Sequence, residues 1–155
     1  YNGKKIYLMN FDNQANNTSI WYYYSPDKKF TYGGDSFIHN YFWYSFQKAM
    51  LNVGMEVSNV DRPDPRAPAM WMTLKSITED GFEGEVNLQK FGNLFFKKIY
   101  NIAVEPLTQE ERTPENLEKR AYDMTNRLIE AILTDPTFKR AFLKAAAELE
   151  AQPSS

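Results

Sequence analysis

The chain has 155 residues, and 18 Lys and Arg side chains against 20 Asp and Glu side chains give a formal net charge of −2. This length suits one domain with its own core, and a nearly neutral chain without a basic block lacks the charge that nucleic-acid binding requires. The absence of cysteine excludes disulfides, thiol nucleophiles and cysteine-based metal sites. We therefore expect one domain over residues 1–150, a frayed tail over 151–155 and no nucleic-acid partner.

The first apolar run predicts a buried strand over residues 4–11, which ends where Asn and Asp favour a turn. The following segment, residues 12–35, is too long for an ordinary connection. It contains an aromatic run at 20–24 that is compatible with an extra strand or with a surface segment. This segment is the least predictable part of the chain.

A helical pattern follows over about residues 36–52, and Gly54 suits a left-handed stop after it. Residues three or four positions apart form its apolar face: Ile38, Phe42, Ser45, Ala49 and Val53. Further aromatic side chains broaden that face until little of the circumference is polar: Phe37, Tyr41, Trp43, Tyr44 and Phe46. Such a helix is covered on more than one side, or it presents an apolar patch.

Strand patterns dominate the middle of the chain. Residues 55–60 predict a strand returning beside the first, and three prolines within 63–68 form a stiff connector. Alternating apolar and polar residues then predict a meander of three strands, at 70–78, 82–89 and 94–104. The first two of these strands are joined at a tight Asp-Gly turn.

The C-terminal part is helical. Thr113 and Pro114 are suited to begin a helix, as cap and first residue, and an apolar repeat follows at Leu117, Ala121, Met124, Leu128 and Ile132. The pair Asp135-Pro136 ends this helix and starts another. Together the elements predict an α+β fold: an antiparallel or mixed sheet of about four or five strands, two main helices packed on one face, and a short C-terminal helix.

No recognisable catalytic set is present. His39 is the only histidine, which excludes a histidine-based metal cluster and favours a structural or surface role. Glu79, Asp80 and Glu83 flank the predicted turn and are compatible with acid–base or cation chemistry, but acids at an exposed turn ordinarily increase solubility. We therefore expect a protein that is not an enzyme and has no cofactor or metal.

Aromatic residues make up 15% of the chain, and those outside the predicted core are the remaining candidates for function. Tyr and Trp suit recognition surfaces because they bury a large area while a polar tip stays hydrated. The alternative is that these aromatic residues lie on a strand and alternate side chains pack in the core, although four successive large side chains cannot all point inward. We expect a partner-binding surface formed by Trp21, Tyr22, Tyr23, Tyr24, Trp43 and Tyr44.

Three stretches combine core residues and turns in a characteristic order: residues 37–57, 93–104 and 116–142. In them the chain resembles the small α+β domain of bacterial envelope lipoproteins. The YajG-like lipoproteins are the most similar type, and the LptE-like lipopolysaccharide-assembly proteins and the auxiliary lipoproteins of ABC-type transport are more distant. The aromatic run at 20–24 has no counterpart in these proteins, and the lipidated N-terminal cysteine is missing from this sequence.

The resemblance implies a non-catalytic, exported protein with an accessory role in assembly or transport, which binds a protein or a glycolipid. It also implies a location in the periplasm, with tethering to the outer membrane. Because the sequence starts at Tyr1 rather than Met, we expect a fragment or a processed form. The resemblance implies membrane association through an N-terminal lipid anchor that has been removed. A second hypothesis is a carrier that holds a small apolar ligand in a cavity between the sheet and the aromatic helix.

Overall fold

The computed structural model describes residues 1–15, 21–25, 28–31, 38–78 and 80–151. The predicted helix start at 36–37, Glu79 and the tail beyond Ala151 lie outside these ranges. The strands are β1 (Lys5–Leu8), β2 (Asp12–Asn13), β3 (Trp21–Ser25), β4 (Lys28–Thr31), β5 (Glu56–Asn59), β6 (Ala69–Thr78), β7 (Gly81–Lys90) and β8 (Asn93–Ala103). The helices are α1 (Ile38–Asn52), α2 (Pro114–Leu133) and α3 (Pro136–Ala151).

The described residues form a mixed sheet of six strands, in the order β5-β1-β6-β7-β8, with β2 also paired to β6. β1 runs parallel to both β5 and β6, whereas β6, β7 and β8 form the predicted antiparallel meander. With three helices beside it, this sheet confirms the predicted α+β fold class.

The first strand is shorter than the prediction over 4–11. Ile6, Leu8 and Phe11 are all buried, and an odd spacing of three separates the last two. A strand that alternates its side chains cannot direct all three residues to one face. The chain therefore leaves the sheet after Leu8, and it resumes pairing with β6 at β2, where Asp12 lies opposite Thr73.

The aromatic run at 20–24 does contribute a strand, but one outside the main sheet. β3 pairs antiparallel with β4, and Tyr22 lies opposite Phe30. The backbone of this hairpin lies beside α2, with Cα atoms of β3 and α2 within 8 Å of one another. The hairpin is therefore positioned against the helical layer.

Local signals in the sequence set the bounds of α2. The Thr113 hydroxyl caps the helix by accepting a hydrogen bond from the Asn116 N–H at 3.2 Å, and Pro114 opens the first turn. The whole predicted apolar repeat is buried: Leu117, Ala121, Met124, Leu128 and Ile132. α2 consequently packs on the sheet through the face that the sequence predicts.

α1 buries a face slightly rotated from the predicted one. Phe42, Phe46 and Met50, at intervals of four residues, are fully or almost fully buried, whereas Val53 lies just beyond the helix and is 39% exposed. Phe42 meets Phe82 of β7 in an edge-to-face contact, with ring centroids 5.3 Å apart. This packing fixes which aromatic side chains of α1 remain outside the core.

Candidate interaction surface

The buried face of α1 determines where its other aromatic residues point, because successive residues on a helix are turned by about 100°. Tyr41 lies on the side next to α2, where its ring centroid is 5.8 Å from that of Tyr122. Trp43 lies on another side, and its indole Nε1 donates a hydrogen bond to the carbonyl oxygen of Met9 at 3.0 Å. Tyr44 points outward and is 65% exposed.

These four residues, Tyr41, Trp43, Tyr44 and Tyr122, are called the α1–α2 aromatic surface below. Tyr41 and Tyr122 expose 38% and 46% of their surface. The rings of Trp43 and Tyr44 meet edge to face with centroids 5.1 Å apart. Tyr41 and Tyr44 are three residues apart and are therefore neighbours on the helix. The ring contacts and this spacing link all four side chains.

The surface is partly fixed in place by the contacts beneath it. The hydrogen bond from Trp43 to the chain after β1 holds the indole, and the Tyr41 ring also packs edge to face on the buried Phe42, at 5.9 Å. Burial raises the pKa of Tyr41, and side-chain hydrogen bonds with Thr125 and Ser45 offset only part of that rise. Side chains held in this way lose less conformational entropy when a partner binds.

Two of the six residues predicted to bind a partner, Trp43 and Tyr44, belong to this surface. The other four, Trp21, Tyr22, Tyr23 and Tyr24, form most of β3. Their side chains lie outside what the structure describes. The backbone of β3 lies beside α2, the helix that carries Tyr122. The role predicted for all six residues stays a prediction.

The sequence does not predict Tyr122 as a partner-binding residue, and it predicts Tyr41 only as part of the broad apolar side of the first helix. The sequence feature that could have indicated Tyr122 as a surface residue is its position in α2. It follows Ala121, a member of the buried repeat, and so falls off the apolar stripe of α2. A large aromatic residue off that stripe is a candidate for surface contact. Its proximity to Tyr41 depends on how the two helices pack, and no sequence spacing encodes that packing.

One of the acidic residues at the β6–β7 turn, Asp80, has a structural partner. Asp80 accepts a hydrogen bond from an Arg120 guanidinium nitrogen at 3.0 Å, and the same nitrogen contacts the carbonyl oxygen of Glu105. Arg120 thereby ties α2 to both ends of the β7–β8 hairpin, beside a cleft of about 770 Å³ that contains acidic and basic side chains.

His39 is partly buried in the first turn of α1. Within the described ranges, no group of three or more His, Asp or Glu side chains is placed to hold a metal ion.

A second polar cluster joins β8 to the turn between α2 and α3. The carboxylate of Asp135 accepts hydrogen bonds from the Tyr100 hydroxyl at 2.5 Å and from Lys98 Nζ at 2.8 Å. Burial alone would raise the pKa of Asp135, but the bonds from Lys98, Tyr100 and Thr137 outweigh it and hold the pKa well below its usual range. Burial and the charge of Asp135 raise the pKa of Tyr1, which donates a hydrogen bond to the Leu133 carbonyl, to about 12.

None of the three helices, over their described residues, is long and apolar enough to span a bilayer. The helical layer and the mixed sheet define the protein as an α+β domain of two layers.

No known family model matches the sequence, and no functionally curated protein matches it. Its fold is similar to that of protein XCC0632 from Xanthomonas campestris, whose crystal structure is described under the family model DUF330. The TM-score is 0.56 at 6% sequence identity, and the match covers 96% of this chain and 85% of that one. At this identity the similarity establishes a shared fold with a bacterial protein. The resemblance to YajG-like and LptE-like lipoproteins stays a prediction.

Proposed function

We propose that the chain is a non-catalytic interaction domain of the bacterial cell envelope, which binds a protein or a glycolipid through the α1–α2 aromatic surface. The observation that carries the proposal is the exposure of Tyr41, Tyr44 and Tyr122 on adjacent helices. Exposed aromatic residues that touch one another are typical of binding surfaces, because the area they bury contributes much of the binding free energy.

The shape of the surface supports the same proposal. The outward side of α1 continues from Tyr44 to Leu51, which is 52% exposed, and these two residues are seven positions apart on one side of the helix. The exposed Lys48 lies between Tyr44 and Leu51, so the contiguous part of the surface is the tyrosine group, in which the rings of Tyr41 and Tyr122 touch and Tyr44 lies one turn from Tyr41. Such a group differs from the scattered exposure of single apolar residues that is normal for a protein surface. A partner that covers α1 would bury the rings of Tyr41 and Tyr44 and the aliphatic side chain of Leu51.

The carrier hypothesis places a ligand between α1 and the meander. In the described part of the chain, Phe42 and Phe82 occupy this region in an edge-to-face contact, and Phe46 packs against Phe11 at 5.4 Å. All four side chains are at most 5% exposed. A carrier would have to displace this packing to admit a ligand, so these contacts favour the interaction domain.

Paired variants test the proposal. The double variant Tyr44→Ala, Tyr122→Ala should fold with a nearly unchanged melting temperature, because both side chains lie outside the core, with 65% and 46% of their surface exposed. It should lose at least tenfold in affinity for the partner, whether purified lipopolysaccharide or a protein captured from envelope extract. Ile99→Ala is the matched control, since Ile99 is 53% exposed on a β8 face that points away from the helices. Equal binding by all three proteins would refute the proposal.

The compartment is a separate part of the proposal, and it rests on the resemblance to envelope lipoproteins. The reading frame upstream of Tyr1 tests it. We expect a signal peptide that ends in a small-residue motif followed by cysteine, the acceptor of a lipid anchor. An upstream cytosolic domain in the same reading frame would contradict periplasmic location and outer-membrane tethering, without bearing on the binding surface.

A further inference from the structure

The turn between β7 and β8 places an aromatic side chain where the backbone disfavours one. Lys90 pairs with Asn93, so Phe91 and Gly92 form a two-residue loop, with φ of 50° and 81°. Loops with two positive φ angles prefer Asn or Gly at the first position, because a Cβ atom is strained there. Phe91 is 61% exposed, so burial of its ring in the core does not offset the strain.

Apolar groups surround Phe91 at this end of the sheet. Leu94 and Phe95, at the start of β8, are 51% and 38% exposed. Phe91 borders two shallow clefts. One, of about 580 Å³, separates the hairpin from α3, and the other, of about 430 Å³, separates it from the proline connector. The hairpin tip is therefore an apolar projection with an apolar groove on each side.

The cleft beside α3 is also basic. Three cationic side chains line it, Lys90, Arg140 and Lys144, together with one carboxylate, Glu148. Lys90 Nζ lies 5.7 Å from the centroid of the Phe91 ring and donates a hydrogen bond to the Ala145 carbonyl at 2.8 Å.

Arg140 and Lys144 are exposed, and neither has an ion-pair partner among the described residues. The other cleft adds one acidic side chain, Asp64. The surplus of positive charge beside the tip contrasts with the net charge of −2 of the whole chain.

We propose that this hairpin-tip patch, formed by Lys90, Phe91, Leu94, Phe95, Arg140 and Lys144, docks on the surface of a bilayer that contains anionic phospholipid. Phe91 and Leu94 would enter the boundary between headgroups and acyl chains, and the three cations would contact phosphate groups. A bilayer surface has phosphate groups outside and acyl chains beneath them. A projecting apolar turn flanked by basic side chains suits such a surface and needs no receptor of matching shape. The patch uses other residues than the α1–α2 aromatic surface, so the two proposals stand or fall separately.

Vesicle co-sedimentation tests the proposal with the 155-residue chain. The chain should bind vesicles of phosphatidylcholine with phosphatidylglycerol, and it should bind them less well as salt rises. Arg140→Ala with Lys144→Ala should weaken this binding roughly 30-fold, since each basic side chain near an anionic surface contributes about fivefold. Lys119→Ala with Arg127→Ala removes the same charge from exposed positions of α2 and is the matched control. It should bind almost as the unchanged protein does.

Phe91→Asn separates binding from folding. Asn-Gly is the favoured sequence for this turn, so the melting temperature should rise, while vesicle binding should fall about tenfold. If Phe91 served only to stabilise the fold, its replacement would not raise the melting temperature while it weakens vesicle binding. Equal binding to vesicles of phosphatidylcholine alone, a charge control that weakens binding as much as the patch variant, or unchanged binding by Phe91→Asn would overturn the proposal. Self-association that Phe91→Asn abolishes, without vesicle binding, would assign the patch to a second copy of the chain and overturn it as well.

Discussion

The hydroxyl of Tyr100 donates a hydrogen bond of 2.5 Å to the carboxylate of Asp135, across 35 residues of sequence. Tyr100 is 7% exposed and projects from the inward side of β8, whereas Asp135 lies between α2 and α3. The bond joins the edge of the sheet to the junction of the two helices. The helix that carries Tyr122 and the helix that carries Arg140 and Lys144 are thereby held to the same strand.

Removing this hydroxyl should destabilise the fold. In Tyr100→Phe the ring keeps its packing and the carboxylate loses one donor, so the free energy of unfolding should fall by about 2 kcal/mol, the range for hydrogen bonds to charged groups. Urea denaturation measures the change. Tyr44→Phe is the matched control, because that hydroxyl is on an exposed side chain, and its effect should stay within about 0.5 kcal/mol. Equal losses in the two variants would contradict the role given to this bond.

Asp135 should also make stability depend on acid pH. Its pKa is lower in the folded chain than in the unfolded chain, where an Asp carboxyl has a pKa of about 3.9. The stabilisation is present above that value and is lost as pH falls through it toward the folded-state pKa. Asp135→Asn should therefore be less stable than the unchanged protein at neutral pH, and the difference should shrink below about pH 4. Denaturant titrations at several pH values check this, and a gap that widens in acid would contradict it.

At alkaline pH the tyrosines should control stability. The pKa of Tyr1 is raised to about 12, and that of Tyr100 is raised as well, first by burial and then by Asp135. A raised folded-state pKa gives stability that is complete below the unfolded value of about 10 and is lost as pH rises through the folded value. Tyr1→Phe should consequently flatten the fall in stability between about pH 10 and 12. The same steep fall in this variant would show that Tyr1 is not responsible.

Gly54 should resist substitution more than Gly3 does. Both have positive φ, 87° and 75°, but a Cβ at Gly54 would collide with the Asn2 side chain and approach the Asn2 Cα to 3.2 Å, whereas nothing lies within 4 Å at Gly3. Gly3→Ala should cost about 1 kcal/mol from backbone strain alone, and Gly54→Ala about 2 kcal/mol or more. Thermal unfolding of the two variants measures the difference. Equal losses of stability in the two variants would mean that the chain near Asn2 moves aside without a loss of free energy.

The sequence predicts those parts of the fold that local signals determine. The cap at Thr113, the proline after it and the apolar repeat of α2 act within one helix, so they can be recognised without the rest of the chain. The alternation in the meander likewise predicts which strand residues face the core. The prediction that residues 55–60 form a strand beside the first strand is confirmed, because β5 pairs with β1. The pairing of β1 with β6 on its other side does not follow from the sequence, because the partners are distant in the chain and several pairings satisfy the same pattern.

The candidate surface was predictable only in part, for the same reason. Almost the whole circumference of α1 is apolar, so its spacing could not decide between a face with Val53 and the observed face with Phe46 and Met50. The outward position of Tyr44 follows from that choice. The contact between Tyr41 and Tyr122 follows from the packing of α1 on α2, which depends on the complete core.

The binding role of the α1–α2 aromatic surface is tested most directly by contact between Tyr44 and a partner in living cells. A photo-crosslinking amino acid replaces Tyr44 in one variant and Ile99 in another, since both positions are more than half exposed. We expect a light-dependent adduct with an envelope protein or a glycolipid at position 44, its loss when Tyr122→Ala is added, and none at position 99. Adducts of equal yield at both positions, or no adduct at position 44 in a folded protein, would contradict this role.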